Sequence, residues 1–219
     1  MKTDEQLKKD VLDAFQWQPT LKTAEIGVIA KDGVITLTGH VNNYAKKIEA
    51  ENSAKNVAGV KAVAEEIAVK IREFDKKNDA DIATEIVNAI KWNWKIPSDK
   101  VKVKVEQGWV TIGGDVHWNY QREATKKLIE SLDGVKGVIN DIKIKSAPQD
   151  LIEKNDILRA LALSASVDEK EIQVQVISDK VILTGMVSSL YQKDEAERLA
   201  WNAPGVSAID NQLVIDYYR

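Results

Sequence analysis

Hydrophobic and polar positions follow the same pattern three times along the chain. Each repeat begins with apolar residues at helical spacing, such as Leu7, Val11 and Phe15, and continues with two segments in which apolar and polar residues alternate. A second helical pattern and a third short apolar segment complete the repeat. Helical spacing predicts an amphipathic helix and strict alternation predicts a half-buried strand. The predicted order of elements in each repeat is therefore α-β-β-α-β.

Two glycine motifs set the register of the repeats. One glycine ends the second strand, and a Gly-Val pair ends the second helix; both motifs recur at offsets of 75 and 71 residues. Two motifs that share two offsets indicate a tandem repeat of one folding unit. A positive φ or a close backbone approach explains the strand glycine, and a left-handed helix end explains the other. The motif glycines are Gly39, Gly114 and Gly185 in the strands and Gly59, Gly134 and Gly205 after the helices.

Turn chemistry predicts how the strands pair. Asp32-Gly33 and Gln107-Gly108 separate the first two strands, and such two-residue turns predict an antiparallel hairpin. Ser178-Asp179 is a weaker version of the turn. A strand-helix-strand crossover in one sheet is expected to be parallel. The predicted fold class is α+β, with three tandem domains that each have a small mixed three-stranded sheet and two helices on one face. The predicted domains are residues 1–72, 78–146 and 149–217, joined by short linkers that favour a compact or curved array.

The repeat resembles the BON domain, a module of osmotically inducible periplasmic proteins, some secretins, mechanosensitive channels and haemolysin-like lipoproteins. The glycine motifs carry the resemblance, together with the closing segments at residues 138–142 and 209–213. Glu65-Glu66 stands where the family usually has an asparagine. The resemblance covers nearly the whole chain. The resemblance implies a binding module, and the family often binds anionic phospholipid surfaces. One branch of the family senses potassium. No member is known as an enzyme through this domain.

Composition argues against catalysis. Cysteine is absent and only 2 histidines are present, which excludes thiolate sites and leaves little for a histidine metal site. His40 and His117 are not at equivalent positions in their repeats. Gly113-Gly114 lacks the spacing of a phosphate-binding glycine loop. The sequence therefore predicts no enzyme, no catalytic residue, no metal site and no cofactor.

Charge is distributed unevenly over the repeats. The net charge of −3 combines a neutral first repeat, a middle repeat of +2 and a third repeat of −5. In the middle repeat three lysines alternate with valines, which places them on one face of a strand. Four of the six tryptophans also lie there. Lysine with tryptophan is typical of a membrane interface or an anionic-ligand surface. The predicted lipid-binding or partner-binding residues are Trp94, Lys100, Lys102, Lys104, Trp109 and Trp118.

The tryptophans are interpreted by comparison with the sister repeats. Trp92 aligns with Trp17 and Leu163, so it is expected in the core. Trp94, Trp109 and Trp118 align with positions that tolerate polar or small residues, which predicts either an exposed patch or contacts with a neighbouring domain. The lysine stripe is expected to be a solvated sheet face or to pair with the acidic third domain.

The predicted function is that of a non-enzymatic, stress-associated binding or scaffold protein that contacts anionic phospholipid or a protein partner. The alternative is a soluble sensor of a small ligand or potassium ion that uses the strand-end turns. Nucleic acid is not expected, because the net charge is negative. No apolar segment is long enough to span a bilayer. Without a signal peptide the chain is expected in the cytoplasm, with the periplasm as the alternative if a leader was removed.

Overall fold

The computed structural model of the chain contains the three predicted repeats as three small α+β domains. Each domain follows the order helix, strand, strand, helix, strand, so the predicted fold class and the tandem repeat are confirmed. The second linker is predicted at residues 145–150, of which residues 146–150 lie outside the described residues. The structure describes residues 2–22, 24–73, 76–145, 152, 154–164 and 171–216.

The helices and strands have closely matched lengths in the three domains. The first domain consists of α1 (Asp4–Gln16), β1 (Glu25–Lys31), β2 (Val34–Val41), α2 (Tyr44–Lys55) and β3 (Ala62–Val69). The middle domain consists of α3 (Asp79–Trp92), β4 (Val101–Glu106), β5 (Trp109–Val116), α4 (Asn119–Glu130) and β6 (Gly137–Ile144). The third domain consists of α5 (Lys154–Ala162), β7 (Ile172–Ile177), β8 (Lys180–Val187), α6 (Leu190–Ala200), β9 (Ala208–Asn211) and β10 (Val214–Ile215).

The central strand of each sheet is the second strand of its repeat. β2, β5 and β8 pair antiparallel with the preceding strand and parallel with the following one. In the third domain the parallel partner is divided into β9 and β10, where the sequence pattern predicts one strand. Gln212 and Leu213 separate the two pieces, and the Leu213 N–H donates to the Asn211 side chain at 3.3 Å.

Each domain buries its own core between its helices and the inner face of its sheet. The inward residues are those that the alternation along the second strand predicts, and each fully buried aliphatic side chain contributes about 1.5–3 kcal/mol. The fully buried pairs on these strands are Ile35 and Leu37, Val110 and Ile112, and Val181 and Leu183. All six motif glycines have positive φ, between 82° and 126°.

Glu65 takes over the role of the asparagine that the family pattern has at its position. Asn140 and Asn211 accept a hydrogen bond from the backbone N–H two residues later, and the Glu65 carboxylate does the same for Ile67. Lys47 from α2 pairs with Glu65 at 2.7 Å and balances its charge. The departure from the family pattern at this position therefore preserves the local geometry.

The second helices of the domains form the contacts between domains. Tyr44, at the start of α2, packs against the core of the middle domain. The Arg122 guanidinium of α4 lies 4.6 Å from the centre of the Trp201 ring, and Trp201 packs against the cores of both the middle and the third domain. In α6, burial raises the pKa of Asp194, and the charge of Lys55 in the first domain opposes that rise. The first two contacts join the first domain to the middle and the middle to the third. Ser188 of the third domain lines a cavity together with Asp32 and Gly33 of the first, so these two domains also meet.

Equivalent positions are used in all three contacts. Lys55, Glu130 and Trp201 are related by the repeat offsets, and a second helix from another domain reaches each of them. A head-to-tail contact that repeats with a closing rotation generates a ring. The predicted compact array thus has the form of a ring in which the first and third domains also meet.

Glu130 is a buried carboxylate in the contact between the first and middle domains. Its Oε1 makes no hydrogen bond within the described part of the chain, and the Lys126 ammonium lies 3.7 Å away, beyond hydrogen-bond length. Burial raises the pKa of Glu130 above its ordinary value, and the nearby Lys126 compensates only in part. The negative charge also helps to raise the pKa of Tyr44, whose own burial is the larger cause.

Glu130→Gln is expected to stabilise the protein at neutral pH. Because the pKa of Glu130 is higher in the folded chain than in the unfolded one, its charged form favours unfolding. This cost grows as the pH rises from the ordinary pKa of 4.5 through the raised folded value. We expect Tm to rise by roughly 3 °C at about pH 7, and the two proteins to melt alike at about pH 4. Circular dichroism melts over this pH range test the prediction, which a pH-independent difference in Tm would contradict.

Candidate functional site

Each first helix ends in a large apolar side chain that faces solvent. Trp17 is 83% exposed, Trp92 is 89% exposed and Leu163 is 79% exposed. The prediction that Trp92 belongs to the core is wrong, because the buried face of α3 ends at Ile90. Single exposed apolar residues are ordinary, but here all three repeats expose one at the same position. We call Trp17, Trp92 and Leu163 the helix-end anchors.

The middle domain gathers further exposed groups at the end where α3 stops. β4 begins there, β5 and β6 end there, and α4 starts there. We call this the anchor end of the middle domain. Trp94 is 87% exposed in the turn after α3, and the Lys95 ammonium lies 5.4 Å from the centre of its ring. Trp118 is half-buried at the N-cap of α4. Lys100 immediately precedes β4 and is exposed.

The other predicted residues lie along the outer face of the middle sheet. Lys102 and Lys104 are exposed, and the valines between them are half-buried, as the alternation predicts. Trp109 is half-exposed at the opposite end of the sheet, and its ring lies over Gly137, where a Cβ would be 2.3 Å from a ring carbon. Lys104 pairs with Glu106 of its own strand at 2.9 Å. The structure therefore places Trp94, Lys100, Lys102 and Trp118 towards the anchor end, and Lys104 and Trp109 away from it.

Basic side chains from three strands meet at the anchor end. The Lys145 ammonium donates to Asp115 Oδ2 at 2.6 Å, and Lys100 Nζ lies 3.1 Å from His117 Nε2. His117 Nδ1 lies 2.9 Å from the carbonyl oxygen of Lys145. These groups surround a shallow cavity of about 350 Å³. We call this group the lysine cluster; its members are Lys100, Lys102, Lys143 and Lys145 around Asp115 and His117.

The lysine cluster has an excess of positive charge. The hydrogen bond from Lys145 is the main cause that holds the pKa of Asp115 below its ordinary value, and the charges of Lys145, Lys143 and Lys102 add to it. Asp115 is therefore ionised at neutral pH, and the four ammonium groups of the cluster outnumber its one carboxylate. The cluster can accept a further anion without bringing two like charges together.

Sequence reasoning identified only part of the lysine cluster. The alternation in β4 indicated Lys100 and Lys102, whereas Lys143, Lys145 and His117 come from β6 and from the turn before α4. The parallel register that pairs Asp115 with Lys143 brings them together. The sequence did contain a signal for the two later lysines, because lysine and isoleucine alternate in Lys143-Ile144-Lys145 at the end of the closing segment.

The described residues contain neither a metal-binding group of side chains nor a membrane-spanning helix. No group of three or more histidine, aspartate or glutamate side chains in that part of the chain is arranged to hold a metal ion. None of its helices combines the length and the apolar character needed to cross a bilayer. The alternative of a potassium or small-ligand site in the strand-end turns stays a prediction.

Three copies of one α-β-β-α-β unit define a tandem array of small α+β modules. The family model of the BON domain matches residues 3–71, 78–146 and 150–217. The chain therefore belongs to the BON domain family, and the resemblance in its glycine motifs is confirmed.

Two relatives have related sequences. The chain is 35% identical over 129 residues to osmotically-inducible protein Y of Escherichia coli (strain K12), a match that covers 57% of this chain and 64% of the relative. It is 29% identical over 143 residues to the outer membrane lipoprotein DolP of Haemophilus influenzae, covering 64% of this chain and 74% of the relative. The chain thus spans slightly less than two thirds of the length of the first relative.

Two solved structures of CdsD, a structural protein of the type III secretion system of Chlamydia trachomatis, also align with the chain at 18% identity. The alignment with its C-terminal domain covers 99% of this chain and 100% of that one, with a TM-score of 0.24. The second covers 95% and 92%, with a TM-score of 0.23. These TM-scores are too low to inform either fold or function.

Proposed function

We propose that the protein is a non-enzymatic, stress-associated binding protein that attaches to anionic phospholipid surfaces through its helix-end anchors and the basic residues of the middle domain. The observation that carries the proposal is the exposure of a large apolar side chain at the same position in all three domains. Such side chains can enter the headgroup region of a bilayer, while neighbouring lysines keep their ammonium groups among the phosphates. A protein partner is the alternative.

The middle domain is the expected main point of contact. Lys91 lies in the last turn of α3 beside Trp92, and Lys95 lies over the ring of Trp94. Each lysine near an anionic membrane surface contributes about 1 kcal/mol. Two lysines beside two exposed tryptophans therefore combine apolar insertion with charge attraction at one place. The anchors of the first and third domains, Trp17 and Leu163, add contacts without equivalent lysine flanks.

The names of the relatives support this proposal. One relative is osmotically inducible and the other is an outer membrane lipoprotein. The second name favours the periplasmic alternative over the cytoplasmic prediction. The proposed contact is with the surface of the bilayer, where the exposed anchors meet the headgroups.

Trp92→Ser combined with Trp94→Ser is expected to weaken vesicle binding by roughly tenfold or more, because two interfacial side chains lose their apolar contact. Co-sedimentation with vesicles of phosphatidylglycerol and phosphatidylcholine, and with phosphatidylcholine alone, measures the effect. We expect the unmodified chain to sediment with the anionic vesicles and to be released by salt.

Trp109→Ser is the matched control, since it removes an exposed indole from the same domain but away from the anchor end. Its binding is expected to equal that of the unmodified chain. If Trp109→Ser loses as much vesicle binding as the double variant, the membrane contact lies on the outer sheet face and not at the anchor end. If the unmodified chain fails to bind anionic vesicles at low salt, the proposal is rejected in favour of a protein partner.

A further inference from the structure

We infer that the lysine cluster is a binding site for a phosphodiester group. In the proposed function the group is the phosphate of an anionic lipid headgroup, and to this extent the inference rests on that proposal. The site itself is argued from the geometry of the cluster.

Charge and shape at the cluster suit a small anion. Lys100, Lys102 and Lys145 line a cavity of about 350 Å³ that also contains Asp115 and His117. Only one of these side chains is an acid, and Lys145 already neutralises it at 2.6 Å. α4 begins two residues after His117, so the partial positive charge of a helix N-terminus lies at the same end of the domain. An anion held there by several ammonium groups makes strong charge-assisted hydrogen bonds.

The sister domains show that the fold does not require these lysines. At the position of Lys100 both other domains have glutamate, and at the position of Lys143 they have alanine and valine. His117 is replaced by asparagine in the first domain and by serine in the third. All three domains nevertheless pair their strands in the same order. Lys145 has a counterpart in Lys70 of the first domain, but Lys100, Lys102 and Lys143 are particular to the middle domain, which indicates a function in binding.

His117 is held at both ring nitrogens. Because the carbonyl oxygen of Lys145 only accepts hydrogen bonds, Nδ1 carries a proton, and the neutral ring accepts a bond from Lys100 through Nε2. The charged groups that line the cavity with the ring are Lys100, which precedes β4, Lys102 from β4, Asp115 from β5 and Lys145, which follows β6.

Two probes with constant charge test the inference on the full chain. Dimethyl phosphate represents the isolated phosphodiester and is followed by amide shifts in NMR spectra; phosphatidylglycerol vesicles are followed by co-sedimentation. The unmodified chain is expected to bind both probes. Lys100→Glu with Lys143→Ala, residues that the first domain has at these positions, is expected to weaken binding by more than about tenfold.

Two further variants separate the roles in the cluster. Lys104→Gln removes an exposed lysine that already pairs with Glu106 and is expected to bind like the unmodified chain. His117→Asn introduces the residue of the first domain and is expected to preserve binding, because the four lysines remain. Thermal melts confirm that the variants are folded.

The outcomes distinguish this inference from the proposed function. If vesicles bind and the double lysine variant binds them equally well, the phosphodiester site is wrong and the membrane proposal stands. If dimethyl phosphate binds and the double variant loses it, while vesicles do not bind, the site stands and the membrane proposal fails.

Discussion

Replacing Gly114 with alanine is expected to lower the free energy of unfolding of the middle domain by about 3 kcal/mol or more. Gly114 has a φ of +126°, and a Cβ there would lie 2.0 Å from the carbonyl oxygen of Lys100 on the neighbouring strand. That oxygen is backbone and cannot retreat without separating β4 from β5. The substitution therefore meets backbone strain and a clash at once. Denaturant titration followed by tryptophan fluorescence measures the loss.

Gly113→Ala is the control for this prediction, one residue away on the same strand. A Cβ at Gly113 has no heavy atom within 4 Å, and its φ is not in the left-handed region. We expect a change below about 0.5 kcal/mol. Equal destabilisation by the two variants would refute the backbone explanation. Because the obstructing carbonyl belongs to Lys100, Gly114→Ala is also expected to disturb the lysine cluster.

Trp201→Ala is expected to destabilise the third domain by about 2–3 kcal/mol and to uncouple its unfolding from that of the middle domain. The Trp201 ring packs against the cores of both domains and carries the Arg122 guanidinium at 4.6 Å. Truncation leaves a cavity at the contact and removes the partner of that cation. Differential scanning calorimetry is expected to show an early transition, separated from the rest of the unfolding.

Trp92→Ala provides the comparison, since it removes a tryptophan that is 89% exposed. Its unfolding is expected to differ from that of the unmodified chain by less than about 0.5 kcal/mol. A single unshifted transition for Trp201→Ala would show that the contact between the middle and third domains contributes little to stability.

The elements of each domain followed from the sequence because they depend on local properties. Alternation along β2, β5 and β8 identified their buried pairs, and the motif glycines stand where the backbone has positive φ. The same reasoning failed for Trp92, because alignment with Trp17 and Leu163 has two explanations. Repeats share apolar residues in their cores, but they also share them on a surface that each copy presents. A position at the very end of a helix has too few neighbours for periodicity to distinguish the two.

Half of the lysine cluster was visible in the sequence, since Lys100 and Lys102 follow from the alternation in β4. Lys145 comes more than 40 residues later, and His117 from the turn before α4. Their meeting depends on the parallel register of β5 and β6, which only the folded sheet establishes.

The amino-acid sequence by itself determined three domains, their family and the residues that build each core. The tertiary structure decided how the domains close into a ring and which charges share one end of the middle domain. The physical reason is the range of the interactions. Helix periodicity, turns and glycine backbone preferences act between near neighbours in the chain, whereas the contacts of Tyr44, Arg122 and Asp194 join residues from different repeats. Such contacts depend on complementary surfaces that exist only after each domain has folded.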